Sequence, residues 1–159
     1  MHKGRDFLLA QVSNSVMQHK TLVENLEDHS KQAQDEAYRR LCTKHLPRMQ
    51  QHQQALETYR DSLGEGGGSA AKELLGSFLG KARDAVDAVR NDDFLRIVGD
   101  IVTIRQAQDN FAAWAAVGDR IGEPRLAEIG RNLEPDHDAM QKEFNALIQE
   151  MWVKNVQQG

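Results

Sequence analysis

An apolar stripe at helical spacing across residues 37–63 constrains the fold of this chain more than any other feature. Side chains three and four positions apart lie on one side of a helix, so the stripe predicts an amphipathic helix. Two histidines interrupt the stripe near its middle. Its members are Ala37, Leu41, His45, Met49, His52, Leu56, Tyr59 and Leu63.

Three further stripes of the same kind predict long helices over residues 6–27, 94–121 and 125–153. A polar turn is expected at 28–33, and Gly64 suits the left-handed residue that ends the second helix. Residues 64–68 form a glycine-rich loop, and a shorter helix is expected at 70–90. Asn91, Asp92 and Asp93 offer a cap for the helix that follows.

With three prolines and almost no alternating β pattern, the chain is expected to be all-α. The order of elements predicts a single domain over residues 1–159. Its fold is an antiparallel four-helix bundle with one additional shorter helix between the second and third long helices. Pro47 and Pro135 lie inside predicted helices, where each would kink its helix. For Pro135 a helix boundary, with proline in the first turn, is the alternative.

Composition excludes several classes of function. The chain has 20 basic and 24 acidic residues, a net charge of -4, and no basic surface interleaved with aromatic residues. We therefore expect no nucleic acid partner. No apolar run is long enough to span a bilayer. The N-terminus lacks signal-peptide character and Cys42 is the single cysteine, so a cytoplasmic protein with a packed thiol is expected.

Each long stripe is broken once near mid-length by groups that can bind protons or metal ions, which predicts a polar layer inside the bundle. Glu134 and His137 have the Glu-x-x-His spacing, which places a carboxylate and an imidazole one turn apart on a helix. Such pairs hold metals in di-iron bundles. The interrupting residues are His19, His45, His52, Arg105, Gln108, Glu134, Asp136 and His137.

Three interpretations of this layer stay open. It is a hydrogen-bonded structural layer without cofactor, a mononuclear site for one zinc or iron ion at His52, Glu134, His137 and His19, or a set of residues that face solvent. A four-carboxylate centre cannot be assembled, because the second helix offers Met49 rather than a glutamate and the helix from Phe94 has none.

The order of elements and four segments resemble the ferritin-like superfamily, and most closely the small bacterial stress-associated group typified by the YciE and YciF proteins. The segments are HLPRMQQHQQALETYRDSLG, AAKELLGSFLGKARDAV, NDDFLRIVGDIVTIRQAQDNFAAWAAVGDRIGEPRLAEI and LEPDHDAM. The resemblance implies a ferritin-like bundle. The metal-binding glutamates of that group are largely replaced here, so ferroxidase or peroxidase activity is not expected.

Three functions follow as hypotheses. The first is a non-catalytic, stress-associated bundle that forms a homodimer and acts by protein interaction. The second is a metal-binding protein that uses the histidine layer. The third is a binding module for a small apolar ligand near Met49, Phe111 and Met140.

Overall fold

The computed structural model describes residues 3–64 and 92–159, and this part of the chain is helical, without a strand. The all-α prediction is therefore confirmed for these residues. The glycine-rich loop beyond Gly64, the shorter helix at 70–90 and Asn91 lie outside the described residues. The elements are α1 (Gly4–Gln32), α2 (Glu36–Ser62), α3 (Asp93–Val117), a single 3₁₀ turn (Asp119–Ile121) and α4 (Pro124–Gln157).

The direction of each helix follows from pairs of side chains that meet across the bundle. Contacts of His19 with Gln53 and of His29 with Tyr38 make α1 and α2 antiparallel. His29 also meets Asp100, and Gln18 meets Asn110, so that α1 and α3 are antiparallel too. Consequently α2 and α3 run in the same direction, and α3 begins at the end of the bundle opposite to the end of α2.

The first interhelical turn is shorter and later than the sequence predicts. The turn predicted at 28–33 is wrong, because α1 continues to Gln32. Helix α2 is capped by the Asp35 carboxylate, which accepts from the Tyr38 N–H at 2.9 Å. The Asp93 carboxylate on α3 accepts from the backbone N–H groups of Gln34 and Asp35, at 2.9 and 2.7 Å. A side chain distant in sequence therefore fixes this turn.

Helix α3 ends four residues before the predicted boundary. It stops at Val117, and the chain makes a 3₁₀ turn to Gly122, whose φ of 75° is left-handed. A Cβ added to Gly118 would lie 2.4 Å from the backbone nitrogen of Ala127. The close approach of α3 and α4 explains why glycine stands where α3 ends.

Other sequence predictions of local structure are confirmed. Gly64 has a φ of 88°, as expected of a left-handed residue after α2. Asp92 caps α3, and Pro124 is the first residue of α4. Pro135 lies inside the continuous helix α4, which excludes the helix-boundary alternative.

One apolar core runs through the four helices. Cys42 belongs to it and is fully buried, as predicted for a packed thiol. The largest completely buried apolar side chains are Leu22, Leu26, Tyr38, Met49, Leu56, Ile97, Ile104, Phe111, Met140 and Phe144. The predicted polar layer therefore has to fit between well-packed apolar side chains.

Candidate functional site

Gln53, on α2, orients one half of a buried histidine pair. Its Nε2 donates to the carbonyl oxygen of Val16 at 3.2 Å and to Oε1 of Glu57 at 3.0 Å. Because both of these atoms only accept hydrogen bonds, the amide orientation is fixed with Oε1 toward His19. Nδ1 of His19 lies 2.8 Å from that oxygen and donates to it.

His137, on α4, is the other half of the pair. Its Nδ1 donates to the carbonyl oxygen of Leu133, one turn earlier, at 2.8 Å. Its Nε2 lies 3.0 Å from Nε2 of His19. Both imidazoles are completely buried, and the ring of Phe111 lies 5.9 Å from His19 and 5.0 Å from His137 between centroids.

Burial decides the charge of the pair. Removal from water lowers the pKa of His19 to about 3, and repulsion from a charged His137 acts in the same direction. Burial likewise lowers the pKa of His137 to about 4, although the hydrogen bond to Leu133 favours the charged ring and acts to raise the pKa. Both rings are therefore neutral at pH 7.

His52 joins the layer from the side of the bundle that faces water. Its Nε2 donates to Oδ2 of Asp136 at 2.7 Å, and Arg48 donates to the same oxygen at 2.9 Å. The ring stacks on His137 with centroids 6.0 Å apart. Burial lowers the pKa of His52 despite its carboxylate partner. Burial opposes ionisation of Asp136, but the hydrogen bonds from Arg48 and His52 lower its pKa overall.

The structure brings together only part of the predicted metal set. His19 and His137 meet, whereas Nε2 of His52 is bonded to Asp136. The half-buried Glu134 faces α3 and accepts from Gln108 at 3.3 Å. Within residues 3–64 and 92–159, no three His, Cys, Asp or Glu side chains are arranged to hold a metal ion. Metal binding by the complete predicted set stays a prediction.

The other residues that interrupt the stripes lie further out. His45 donates from Nε2 to Glu143 at 2.6 Å, and Lys44 donates to the same carboxylate at 2.7 Å. Gln108 is half-buried between α3 and α4, and Arg105 is exposed. The hydrogen bonds of His45 and Gln108 join neighbouring helices at the edge of the core and do not extend the polar layer inside it.

A second buried polar cluster, which the sequence analysis did not predict, lies near the C-terminal end of α1. The hydroxyl of Tyr38 and Nδ1 of His29 both donate to Oδ2 of Asp100, the latter at 2.9 Å. Oδ1 of Asp100 is buried without a hydrogen-bond partner among the described residues. Burial and the nearby Asp100 raise the pKa of Tyr38 and that of the Cys42 thiol.

A signal for this cluster was present in the sequence. Asp100 lies three residues after Ile97 and four before Ile104, so it shares their core-facing side. The apolar stripe predicted over residues 94–121 passes through Ile97, Ile101 and Ile104 and leaves Asp100 out, although Ile101 is only half-buried. His29 was missed because it fell in the segment assigned to a turn.

An apolar groove of about 600 Å³ opens between the first half of α1 and the second half of α3. Two of its apolar side chains are largely exposed, Phe7 at 51% and Ile121 at 54%. Five polar residues border it, namely Arg5, Gln11, Ser15, Asn110 and Glu123. The apolar wall is formed by Phe7, Leu8, Val12, Ala113, Trp114, Val117, Ile121 and Leu126.

This groove is not where the sequence placed a ligand. Met49, Phe111 and Met140 are completely buried and packed into the apolar core. None of the three lines the groove. The helical stripe correctly located apolar side chains, but it could not distinguish a filled core from an open groove.

Comparisons with known proteins give no relative. No protein-family model, no curated protein and no solved structure matches this chain. None of the helices in the described part of the chain is both long and apolar enough to cross a membrane. The contacts of the chain itself therefore carry the functional argument.

Proposed function

We propose that this protein is a non-catalytic helical bundle that binds one small amphiphilic molecule in the groove between α1 and α3. The observation that carries the proposal is the groove of about 600 Å³ with its mostly apolar wall. Ligand sites in proteins commonly have volumes of roughly 300–1,000 Å³, apolar walls and a few polar groups. The groove has all three properties.

The apolar part of the ligand would cover side chains that are now in water. These are Phe7 and Ile121, which are exposed, whereas Trp114 and Val12 of the groove wall are already largely buried. Each Å² of apolar surface removed from water stabilises a complex by about 25 cal/mol before the costs of binding. An alkyl chain fits this wall without requiring directional contacts.

The polar end of the ligand would lie beside Arg5. The guanidinium donates to the carbonyl oxygen of Leu63 at 3.0 Å and approaches Glu123 at 4.0 Å. The Arg5 side chain is 65% exposed, so that donors remain accessible to a carboxylate head group. A medium-chain fatty acid combines this head group with an apolar chain and is the ligand class we assign.

Fatty-acid titration of two matched leucine variants tests the groove. Both are made with Trp152→Phe, so that Trp114 is the remaining tryptophan and reports decanoate binding by fluorescence. Ala113→Leu places a larger side chain in the groove and should weaken binding by about tenfold or more, which corresponds to about 1.4 kcal/mol of affinity. Ala112→Leu, on the exposed side of the same helix, should leave binding unchanged.

Two results would contradict the groove proposal. One is the absence of any Trp114 response to fatty acids of eight to sixteen carbons, a series chosen to bracket the groove's volume. The other is an equal loss of affinity in the Ala113→Leu and Ala112→Leu variants, which would place binding elsewhere.

The proposed scaffold is ferritin-like, and topology supports it. Helices α1 and α2 form one antiparallel pair and α3 and α4 another, while α2 and α3 run parallel. Ferritin-like bundles have the same two antiparallel pairs and the same parallel relation between the second and third helices. The stress-associated role and the cytoplasmic location remain predictions.

Homodimer formation is a second candidate property, because α3 carries an exposed apolar stripe. Leu95, Val98 and Val102 are 43%, 37% and 59% exposed and lie on one side of the helix. Trp152 of α4, 58% exposed, packs against Phe94 at the beginning of α3. Contiguous exposed apolar side chains of this kind mark protein contacts.

Sedimentation velocity tests the dimer. Wild-type protein at micromolar concentration should sediment as a dimer, and Val102→Arg should sediment as a monomer because it introduces a charge into the stripe. Thr58→Arg, an exposed change on α2, is the control. A monomeric wild type, or a dimer that survives Val102→Arg, would exclude this surface.

A further inference from the structure

The protonation of the buried histidine pair is dictated by its outer hydrogen bonds. Gln53 presents an oxygen to Nδ1 of His19, and Leu133 presents a carbonyl oxygen to Nδ1 of His137. An oxygen acceptor requires a proton on the nitrogen that faces it. Each neutral ring therefore carries its proton on Nδ1 and a lone pair on Nε2.

The two lone pairs consequently face each other. The Nε2 atoms are 3.0 Å apart, a hydrogen-bonding distance at which neither neutral ring has a proton to donate. Low dielectric makes this contact between two acceptors costly inside a core. A cation between the nitrogens would convert the contact into two favourable bonds.

The surroundings select the kind of cation. In the described part of the chain, neither ring donates to a carboxylate, since Asp136 is bonded to His52 and Arg48. Phe111 packs against both rings, and both are completely buried. Two neutral nitrogen ligands in a buried site suit an ion of single charge and low coordination number better than a divalent ion, whose charge would remain uncompensated.

We propose that His19 and His137 form a two-coordinate copper(I) site through their Nε2 atoms. Imidazole nitrogen is a good copper ligand, and copper(I) commonly accepts two nearly collinear donors. Their outer hydrogen bonds are those typical of metal-bound histidines, which donate the other ring N–H to a carbonyl, carboxylate or water. The site needs neither Glu134 nor His52 and is independent of the groove.

Only a small adjustment of the rings is required. Metal–imidazole bonds are about 2.0 Å long, so a bridging ion would separate the nitrogens by up to about 1 Å more than the present 3.0 Å. The rings lie on different helices, α1 and α4. Because both are neutral at pH 7, no proton has to be displaced for the ion to bind.

Anaerobic copper(I) titration against a colorimetric chelator tests the site in the full-length protein. We expect one ion per chain, and an X-ray absorption spectrum with two nitrogen ligands and no sulfur. His19→Gln and His137→Gln should each lower affinity by more than about 100-fold, since even changes around a metal ligand cost roughly 10–100-fold. His45→Gln, at the histidine bonded to Glu143, should not lower it.

Each contrary result would overturn the proposal. These are no uptake of copper(I), uptake that both variants retain, or a spectrum with sulfur ligands, which would point to Cys42 or a methionine. If the variants do not fold, the wild-type spectrum decides between the same outcomes. A ¹⁵N spectrum of the copper-free protein at pH 7 provides a further test. If both nitrogens of either ring are protonated, a proton lies between the two Nε2 atoms, and the copper site is overturned.

Discussion

At the scale of single residues, the four histidines of the predicted polar layer differ in the groups that accept their hydrogen bonds. His19 and His137 donate from Nδ1 to an amide oxygen and a backbone carbonyl oxygen, so neither acceptor carries a negative charge. His45 and His52 donate to carboxylates near the surface. The first pair is therefore held neutral by burial, whereas each histidine of the second pair has a carboxylate partner.

The neutral pair makes the stability of the copper-free protein depend on pH. With folded pKa values of about 3 and about 4 against 6.5 in the unfolded chain, the unfolded state binds more protons below pH 6.5. The contribution of the pair to the free energy of unfolding should be constant well above pH 6.5 and decrease as the pH falls through 6.5 toward 4. The slope is up to about 1.4 kcal/mol per pH unit for each histidine.

Urea unfolding between pH 8 and 5 measures this slope, and the interval lies above the range where carboxylates titrate. His19→Gln should show a shallower dependence than wild type, because it removes one of the histidines whose pKa is lowered by burial. His45→Gln, which leaves the buried pair in place, is the control. A stability that is flat from pH 7 to 5 would show that the pair is not held neutral.

Tyr38 and Asp100 provide a second prediction at this scale. Tyr38→Phe removes one of the two donors to the buried Asp100 carboxylate and should lower the free energy of unfolding by about 1–3 kcal/mol. In an Asp100→Asn background, Tyr38→Phe should lower the free energy of unfolding by less. A buried neutral amide that loses one donor is less destabilising than a buried carboxylate that loses one. Equal losses in both backgrounds, by urea unfolding, would contradict this coupling.

At the scale of helices, backbone contact between α3 and α4 fixes their spacing. A Cβ on Gly130 would lie 2.4 Å from the backbone nitrogen of Ala115 and 2.5 Å from the carbonyl oxygen of Phe111. Neither atom can move without displacing a helix. Gly99 of α3 differs, because a Cβ there would meet nothing within 4 Å.

Alanine substitutions at the two glycines should therefore have opposite effects. Gly130→Ala should destabilise the protein by about 1–3 kcal/mol or more, because the added methyl group forces the helices apart. Gly99→Ala should stabilise it by up to about 1 kcal/mol through helix propensity alone. Thermal unfolding of both variants measures the difference, and a shift of the same sign in both would contradict the close packing.

At the scale of the whole molecule, the helices of residues 3–64 and 92–159 enclose a filled interior and border a groove between α1 and α3. The interior takes up part of the predicted stripes, since Met49, Phe111 and Met140 are fully buried whereas Ala37 is exposed. The side between α1 and α3 is left open, and Phe7 and Ile121 are exposed there. Binding of a ligand in this groove would complete the apolar layer without any change in the core.

The sequence by itself determined the four helices of the described residues, their approximate limits and the depth at which His19, His52 and His137 interrupt the core. These features depend on spacing along one helix, and the 3.6-residue repeat makes them readable. The positions of Gly64, Asp92 and Pro124 were equally readable, because caps and turns depend on neighbouring residues.

Only the tertiary structure decided which of these polar groups meet. Glu134 and His137 are neighbours in sequence, yet one faces α3 and the other faces His19, on a helix more than one hundred residues earlier. The Asp100 cluster and the groove arise in the same way, from the rotation of each helix about its axis and from the distance between α1 and α3. Packing of side chains across the bundle sets both quantities, and the pattern along any one helix does not contain them.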